Sequence, residues 1–186
     1  ALSTRLAVRQ LNNLVDINQP PATEAVNFDS NNRAVGLCVM GLADMFEHFN
    51  LPYDSTEAYQ LVDEIMEFIS YQAISASTEL AKERGSYNNF SGSLWSQGYV
   101  PIDTISVLAK ERDSLEQDTS TRLDWDTLRQ KVKLGMRNST LLAIAPTANI
   151  GLVAGTSTGI DPRFAQIFSR NTLGGKHLEL NVNLVE

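Results

Sequence analysis

Pro146-Thr147-Ala148-Asn149-Ile150 is the stretch of this chain whose residue types and placement could do chemistry. It follows an apolar run, Thr140–Ala145, and leads into a Gly/Ala/Val/Leu-rich segment. A buried strand that stops at a proline and turns into a short helix leaves several backbone N–H groups without intrahelical partners. Such a helix start is a seat for a phosphate or another anion. Thr147 and Asn149 would add side-chain donors, while Ala148, Asn149 and Ile150 would present N–H groups. A plain helix start, with Thr147 as N-cap bonded to its own second or third amide, accounts for the same residues and is the commoner arrangement.

Other residues weigh less. Gly151, Gly155 and Gly159, with Ser157 and Thr158, match neither a dinucleotide fingerprint nor a P-loop, and packing explains them. Arg137-Asn138 could orient a loop through the guanidinium fork, or form a turn held by Asn138. Cys38 lies among Leu37, Val39 and Met40 with no basic neighbour to lower its pKa, as a small buried hydrophobe would. His48 and His177 read as ordinary surface residues. No Ser/His/Asp set or paired-carboxylate spacing stands out. Spacing alone therefore stops at an α/β piece with an anion site.

Bulk properties narrow the class. The chain has 186 residues, 42% hydrophobic and 20% charged, with 22 acids against 15 bases and a net charge of −7. That is one domain with a sizeable core. The acidic balance argues against non-specific nucleic-acid or anionic-membrane binding. One cysteine permits no intrachain disulfide and no multi-cysteine zinc site, so no metal is expected. No run approaches the roughly 18 apolar residues of a membrane span. The chain opens Ala-Leu-Ser in what reads as the middle of an element, so a piece of a longer protein is expected.

The elements that must carry the Pro146 segment are mostly helical. Helices are expected over 3–15, 41–49, 54–84, 102–110 and 125–134, with short ones near 149–154 and 164–168. Asp54 with Glu57 forms a capping-box pattern, and Gly85 is a natural stop. Asp124 can cap the helix that Gly135 ends. Asn27–Asn32 reads as a loop. Strands are expected at Ala34–Val39, Ser139–Ala145 and the alternating Leu178, Leu180, Val182 and Leu184. Strands separated by long helical stretches favour parallel pairing, and so few strands leave raw sheet edges.

A resemblance extends this reading over nearly the whole chain. Leu11-Asn12-Asn13-Leu14-Val15-Asp16-Ile17-Asn18 is similar to the LDNVIDLN region of the large chain of class I ribonucleotide reductases. Arg33 to Gly41 resembles that family's R-x-x-G-x-G-x-x-G strand–helix, with Cys38 where glycine is frequent. Ala76 to Gly85, Gly92-Ser93-x-Trp95-x-x-Gly98, Pro101-x-Asp103, Leu123-Asp124-Trp125-x-x-Leu128 and Gly135 to Ser139 follow in the family's order. They lead to Ala143-Ile144-Ala145-Pro146-Thr147-Ala148.

The resemblance implies that residues 1–186 are one fragment of a ten-stranded α/β barrel, helix-rich, from a ribonucleoside-diphosphate reductase. It implies that Pro146–Ile150 cradles the substrate's phosphates, although Asn149 and Ile150 depart from the Thr/Ser types of several relatives. The family abstracts the ribose 3′-hydrogen with a cysteine thiyl radical, assisted by an Asn and a Glu. A cysteine pair reduces the substrate, and a metal-containing small subunit generates the radical. Those residues are expected before Ala1 or otherwise outside this stretch, and Cys38 matches none of them. The fragment is expected to hold no cofactor and to be inactive alone. Its parent is expected to be a cytoplasmic, allosteric homodimer that binds a ribonucleoside diphosphate and the small subunit. Two alternatives remain at this point: an adenosylcobalamin-dependent reductase of the same barrel family, and a non-enzymatic interaction domain whose anion site is only a helix cap.

Overall fold

The computed structural model describes residues 1–112, 118–172, 174–181 and 183. In chain order they form α1 (Leu2–Ile17), α2 (Thr23–Asn32), α3 (Leu42–His48), α4 (Thr56–Arg84), α5 (Leu94–Gln97), α6 (Thr104–Glu111), α7 (Trp125–Leu134), α8 (Ala148–Ala154), β1 (Ile167–Thr172) and β2 (Gly175–Leu180), with short 3₁₀ turns at Asn88–Phe90 and Pro101–Asp103. The chain divides into two compact units. The first comprises Ala1–Leu37 and Asp63–Ala143, and the second Cys38–Val62 and Ile144–Glu186. No helix among the described residues is long and apolar enough to cross a membrane.

The first unit holds the main apolar core. Ile74 and Leu80 of α4, Val8 of α1, Trp125, Leu128 and Val132 of α7, and Met136 are buried in one cluster. The spacing 125, 128, 132 places one α7 stripe inward. Asp124 caps this helix by accepting from the Thr127 N–H at 3.0 Å, and Gly135 ends it, as its sequence predicts. α4 runs 29 residues, about 44 Å at 1.5 Å per residue. Its cap is Ser55, whose hydroxyl accepts from Ala58 N–H at 3.1 Å, and not the expected Asp54.

Arg5 pairs with Glu79 and Arg9 with Glu83, so α1 and α4 lie side by side with both numbers rising. Hydrogen bonds from Arg9 and Arg84 hold the Glu83 carboxyl at about 2. These groups face solvent, where salt screens them, and they set the helix register more than they add stability.

Residues 27–32 belong to α2 and are not the expected loop. Their polar side chains turn back onto the preceding turn, Asn31 to the Asn27 carbonyl at 2.8 Å and Asn32 to the Phe28 carbonyl at 3.1 Å. Asn88 and Asn89 donate to the same two side chains from outside. The expected strands 34–39 and 139–145 pair in parallel, but through a single bridge, Leu37 with Leu142. Leu37 N–H donates to Leu141 at 2.8 Å and Ala143 N–H to Leu37 at 3.1 Å. The backbones approach closely because Gly36 lacks a side chain: a Cβ there would stand 2.8 Å from the Ala143 Cβ.

In the second unit the sheet is an antiparallel hairpin, β1 with β2, in register Ile167 to Leu180 and Thr172 to Gly175. The expected parallel layer is therefore not what the regular strands form. The expected helical turn at Phe164–Phe168 is absent too: Ile167 and Phe168 enter β1, and the Phe164 and Phe168 rings meet at 4.9 Å. Leu178 and Leu180 lie in β2 as expected, while Val182 and Leu184 fall outside the described residues.

One acid in the first unit has a measurable consequence. Glu67, whose side chain is 9% exposed, accepts from the Arg122 and Leu123 N–H groups and from the Trp125 indole at 2.9 Å. Burial pushes its carboxyl up, but the hydrogen bonds from Trp125, Arg122 and Leu123 outweigh it and the net shift is down from 4.5. The native state then binds fewer protons than the unfolded one, so this stability is present above pH 4.5 and is lost as pH falls through the lower native value. Glu67→Gln is expected to lower stability at neutral pH by about 1.5–3 kcal/mol and to flatten its decline in acid. Urea titrations between pH 3 and pH 7 check this, and an unchanged acid slope would refute it.

Candidate functional site

The Pro146–Ile150 segment lies within the second unit, directly after the 139–145 stretch. Pro146, Ala148, Asn149 and Ile150 are exposed and Thr147 is half-buried. Thr147 adopts φ 47° and ψ 27°, the left-handed region, and α8 begins at the next residue. A β-branched residue there is a backbone outlier that its surroundings must hold.

The expected ordinary cap, with the Thr147 side chain bonded to its own helix, is not made. Thr147 Oγ1 instead accepts from the Gly159 N–H at 2.7 Å, and the Thr147 carbonyl accepts from Gly151 N–H at 2.7 Å. The Ala148, Asn149 and Ile150 N–H groups have no acceptor among the described residues. With its oxygen occupied by Gly159, the Thr147 hydroxyl proton is free to donate elsewhere. The segment thus gathers three open amides and one hydroxyl on one short turn.

Of the glycines after it, Gly151 and Gly159 serve packing as expected, whereas nothing stands within 4 Å of a Cβ built on Gly155. A Cβ on Gly151 would lie 3.2 Å from the Thr156 carbonyl, and one on Gly159 would lie 3.0 Å from the Ala145 carbonyl. Gly155 closes α8 in the left-handed conformation at φ 68°. A cavity of about 290 Å³ adjoins α8, lined by Ala148, Leu152, Thr156, Arg163, Phe168, Arg170 and Glu179 among others. Of the five residues singled out from the sequence, Ala148 alone lines it. The two arginines there are already paired, Arg163 with Asp44 and Glu47, and Arg170 with Glu179. An anion would therefore be held mainly by backbone N–H groups.

Residues with no earlier signal brace this turn. The Ser157 N–H donates to Asp44 Oδ2 at 2.6 Å, and Gly41 N–H donates to the Ser157 carbonyl at 2.9 Å. Glu47 accepts from Arg163 at 2.9 Å, Asn181 at 3.0 Å and Asn183 at 2.8 Å. Burial raises the Glu47 carboxyl, and the donors Asn183, Arg163 and Asn181 together pull it below its ordinary value. Asp44 sits in the first turn of α3, and sequence spacing carries no trace of partners more than a hundred residues away.

The remaining candidates are structural. One terminal nitrogen of Arg137 donates to both the Arg84 and Gly85 carbonyls at 3.0 and 3.1 Å, closing the end of α4, and burial lowers its pKa. Asn138 is fully buried and donates to the Arg33 carbonyl at 2.9 Å. Cys38 is half-buried, and its Sγ accepts from Ala145 N–H at 3.3 Å. His48 and His177 are exposed. No group of three or more His, Cys, Asp or Glu among the described residues could hold a metal.

Comparison with known proteins decides the family. The model of the ribonucleotide reductase barrel domain matches residues 1–186. This chain belongs to that family. It is 45% identical over 184 residues to the ribonucleoside-diphosphate reductase subunit alpha of Chlamydia muridarum, covering 97% of this chain and 18% of that protein. The Helicobacter pylori subunit alpha is 39% identical over 171 residues, 91% of this chain and 22% of the relative. The Caenorhabditis elegans large subunit is 36% identical over 184 residues, 98% of this chain and 22% of the relative. The chain thus spans about a fifth of the length of the curated relatives it matches.

Proposed function

We propose that this chain supplies scaffold and the substrate phosphate-binding segment of a ribonucleoside-diphosphate reductase alpha subunit. The observation that carries the reading is the set of open amides at Ala148, Asn149 and Ile150, presented by Thr147 in a strained conformation. A diphosphate is the anion suited to such a turn, because backbone N–H groups aimed at a phosphate need no neutralising side chain. Pro146 directly precedes the turn, and Ala148 keeps the approach clear.

In this reading the 35–37 and 140–143 stretches are two strands of a ten-stranded α/β barrel that the rest of the subunit completes. The parent reduces ribonucleoside diphosphates to deoxyribonucleoside diphosphates by thiyl-radical chemistry, in the cytoplasm, as a homodimer with a small subunit. That partner's metal centre supplies the radical. Cys38 takes no part, since its sulfur is turned onto the Ala145 backbone.

Ala148→Asp tests the assignment. In a full-length subunit carrying this segment, assembled with its small subunit, the added carboxylate would stand against the substrate's phosphates. Substrate affinity is expected to fall by about 1–3 kcal/mol, roughly 5- to 150-fold. Equilibrium binding of the nucleoside diphosphate reads this directly, and unchanged affinity would remove the assignment.

A further inference from the structure

We propose that Asp44 is a positioning residue for the phosphate segment, setting the conformation of Thr147 through the 156–159 turn. The inference rests on the phosphate reading above. A continuous run of short contacts within the second unit links Asp44 to Thr147.

Asp44 lies in the first turn of α3 with its side chain 24% exposed. Its Oδ2 accepts from Ser157 N–H at 2.6 Å, and Gly41 N–H donates to the Ser157 carbonyl at 2.9 Å. Ser157 is buried, so both of its backbone polar groups are held by the start of α3. Asp44 Oδ1 meanwhile accepts from Arg163 and from Asn183, which fixes the carboxylate from its other side.

The turn that Ser157 anchors touches the phosphate segment twice. Thr156 N–H donates to the Gly151 carbonyl at 2.9 Å, on the bare face of α8. Gly159 N–H donates to Thr147 Oγ1 at 2.7 Å. That second bond holds a β-branched residue at positive φ, which it would otherwise leave. It also occupies the hydroxyl oxygen, so that the proton is the part left for a ligand. A first-turn acid that merely complements the helix dipole would have no reason to grip Ser157.

Steady-state kinetics on a full-length reductase subunit containing this segment, with its small subunit, tests the proposal. Asp44→Ala is expected to raise KM for the nucleoside diphosphate about tenfold with kcat held within about twofold. Asp44→Asn keeps an oxygen for Ser157 N–H and is expected to raise KM only about threefold. Combined with Thr147→Ala, Asp44→Ala should add less than about twofold, because both act on one contact. A fully additive double variant, an unchanged KM, or a kcat that falls by as much as KM rises would each overturn the proposal. If Asp44→Ala does not fold, Asp44→Asn carries the same cycle with Thr147→Ala. Should Ala148→Asp raise KM while both Asp44 variants leave it alone, the positioning role falls and the phosphate reading stands. Should Ala148→Asp also leave KM alone, both fall.

Discussion

Arg33→Ala is expected to lower the stability of this chain by about 3 kcal/mol, enough to shift its urea midpoint well beyond experimental scatter. The Arg33 side chain is 9% exposed and serves as donor to a set of fixed acceptors. Its Nε donates to Asn12 Oδ1 at 3.2 Å, one terminal nitrogen to the Asn12 carbonyl at 2.9 Å, and the other to Asp16 at 2.7 Å. Asn12 is fully buried, and truncation would strand its carbonyl groups away from water. Arg33 also ends α2 at φ 47°, so the side chain that locks this turn would be lost with it. Asp16 is 43% exposed and can be rehydrated, so Asp16→Asn should cost only about 0–1 kcal/mol. Emission from Trp95 and Trp125, both in the first unit, reports the transition. A loss below about 1 kcal/mol for Arg33→Ala would mean that water reaches Asn12.

Leu128→Ala is expected to cost about 2–5 kcal/mol. Leu128 is fully buried on the inward stripe of α7, in the same cluster as Trp125, Val132, Met136, Ile74 and Leu80. Removing its branched end leaves a cavity that two-helix packing closes only in part. Leu134, on the same helix and 79% exposed, is the internal control: Leu134→Ala should stay within about 0.5 kcal/mol of the parent. Equal effects at both positions would remove the inward stripe of α7, and a larger loss at Leu134 would reverse it.

These outcomes bear on how much could be read from residue order. α7 was legible because its signals are local: Asp124 at the cap, apolar spacing inward, Gly135 at the end. α4 was legible in extent but not in its cap, since Asp54 and Ser55 are adjacent acceptors and only backbone geometry selects Ser55. α2 was missed because Asn27 to Asn32 are turn formers in isolation, and side chains of Asn88 and Asn89 steady them as a helix. Phe164 and Phe168, four apart, imitate a helical pair while belonging to the approach to a hairpin. At the candidate site, the helix start after Pro146 and its open amides were visible, but the buried strand expected before it reduces to one bridge at Leu142, with Ala143 and Ile144 exposed. The conformation of Thr147 was not visible, because nothing about threonine favours positive φ. Its brace, Asp44 on Ser157, joins residues 113 apart.

Such distances in sequence also govern when the molecule can close. Asn138 reaches the Arg33 carbonyl across 105 residues, and Val35 accepts from Thr140 across the same gap. During synthesis, α1, α2 and the long α4 must therefore emerge and wait, their inner faces wet, until residue 141 clears the ribosome exit. The hairpin of β1 and β2, whose partners are near neighbours along the chain, forms without that delay. The time before residue 141 emerges is therefore the window in which a nascent chain of this kind is most open to misassociation.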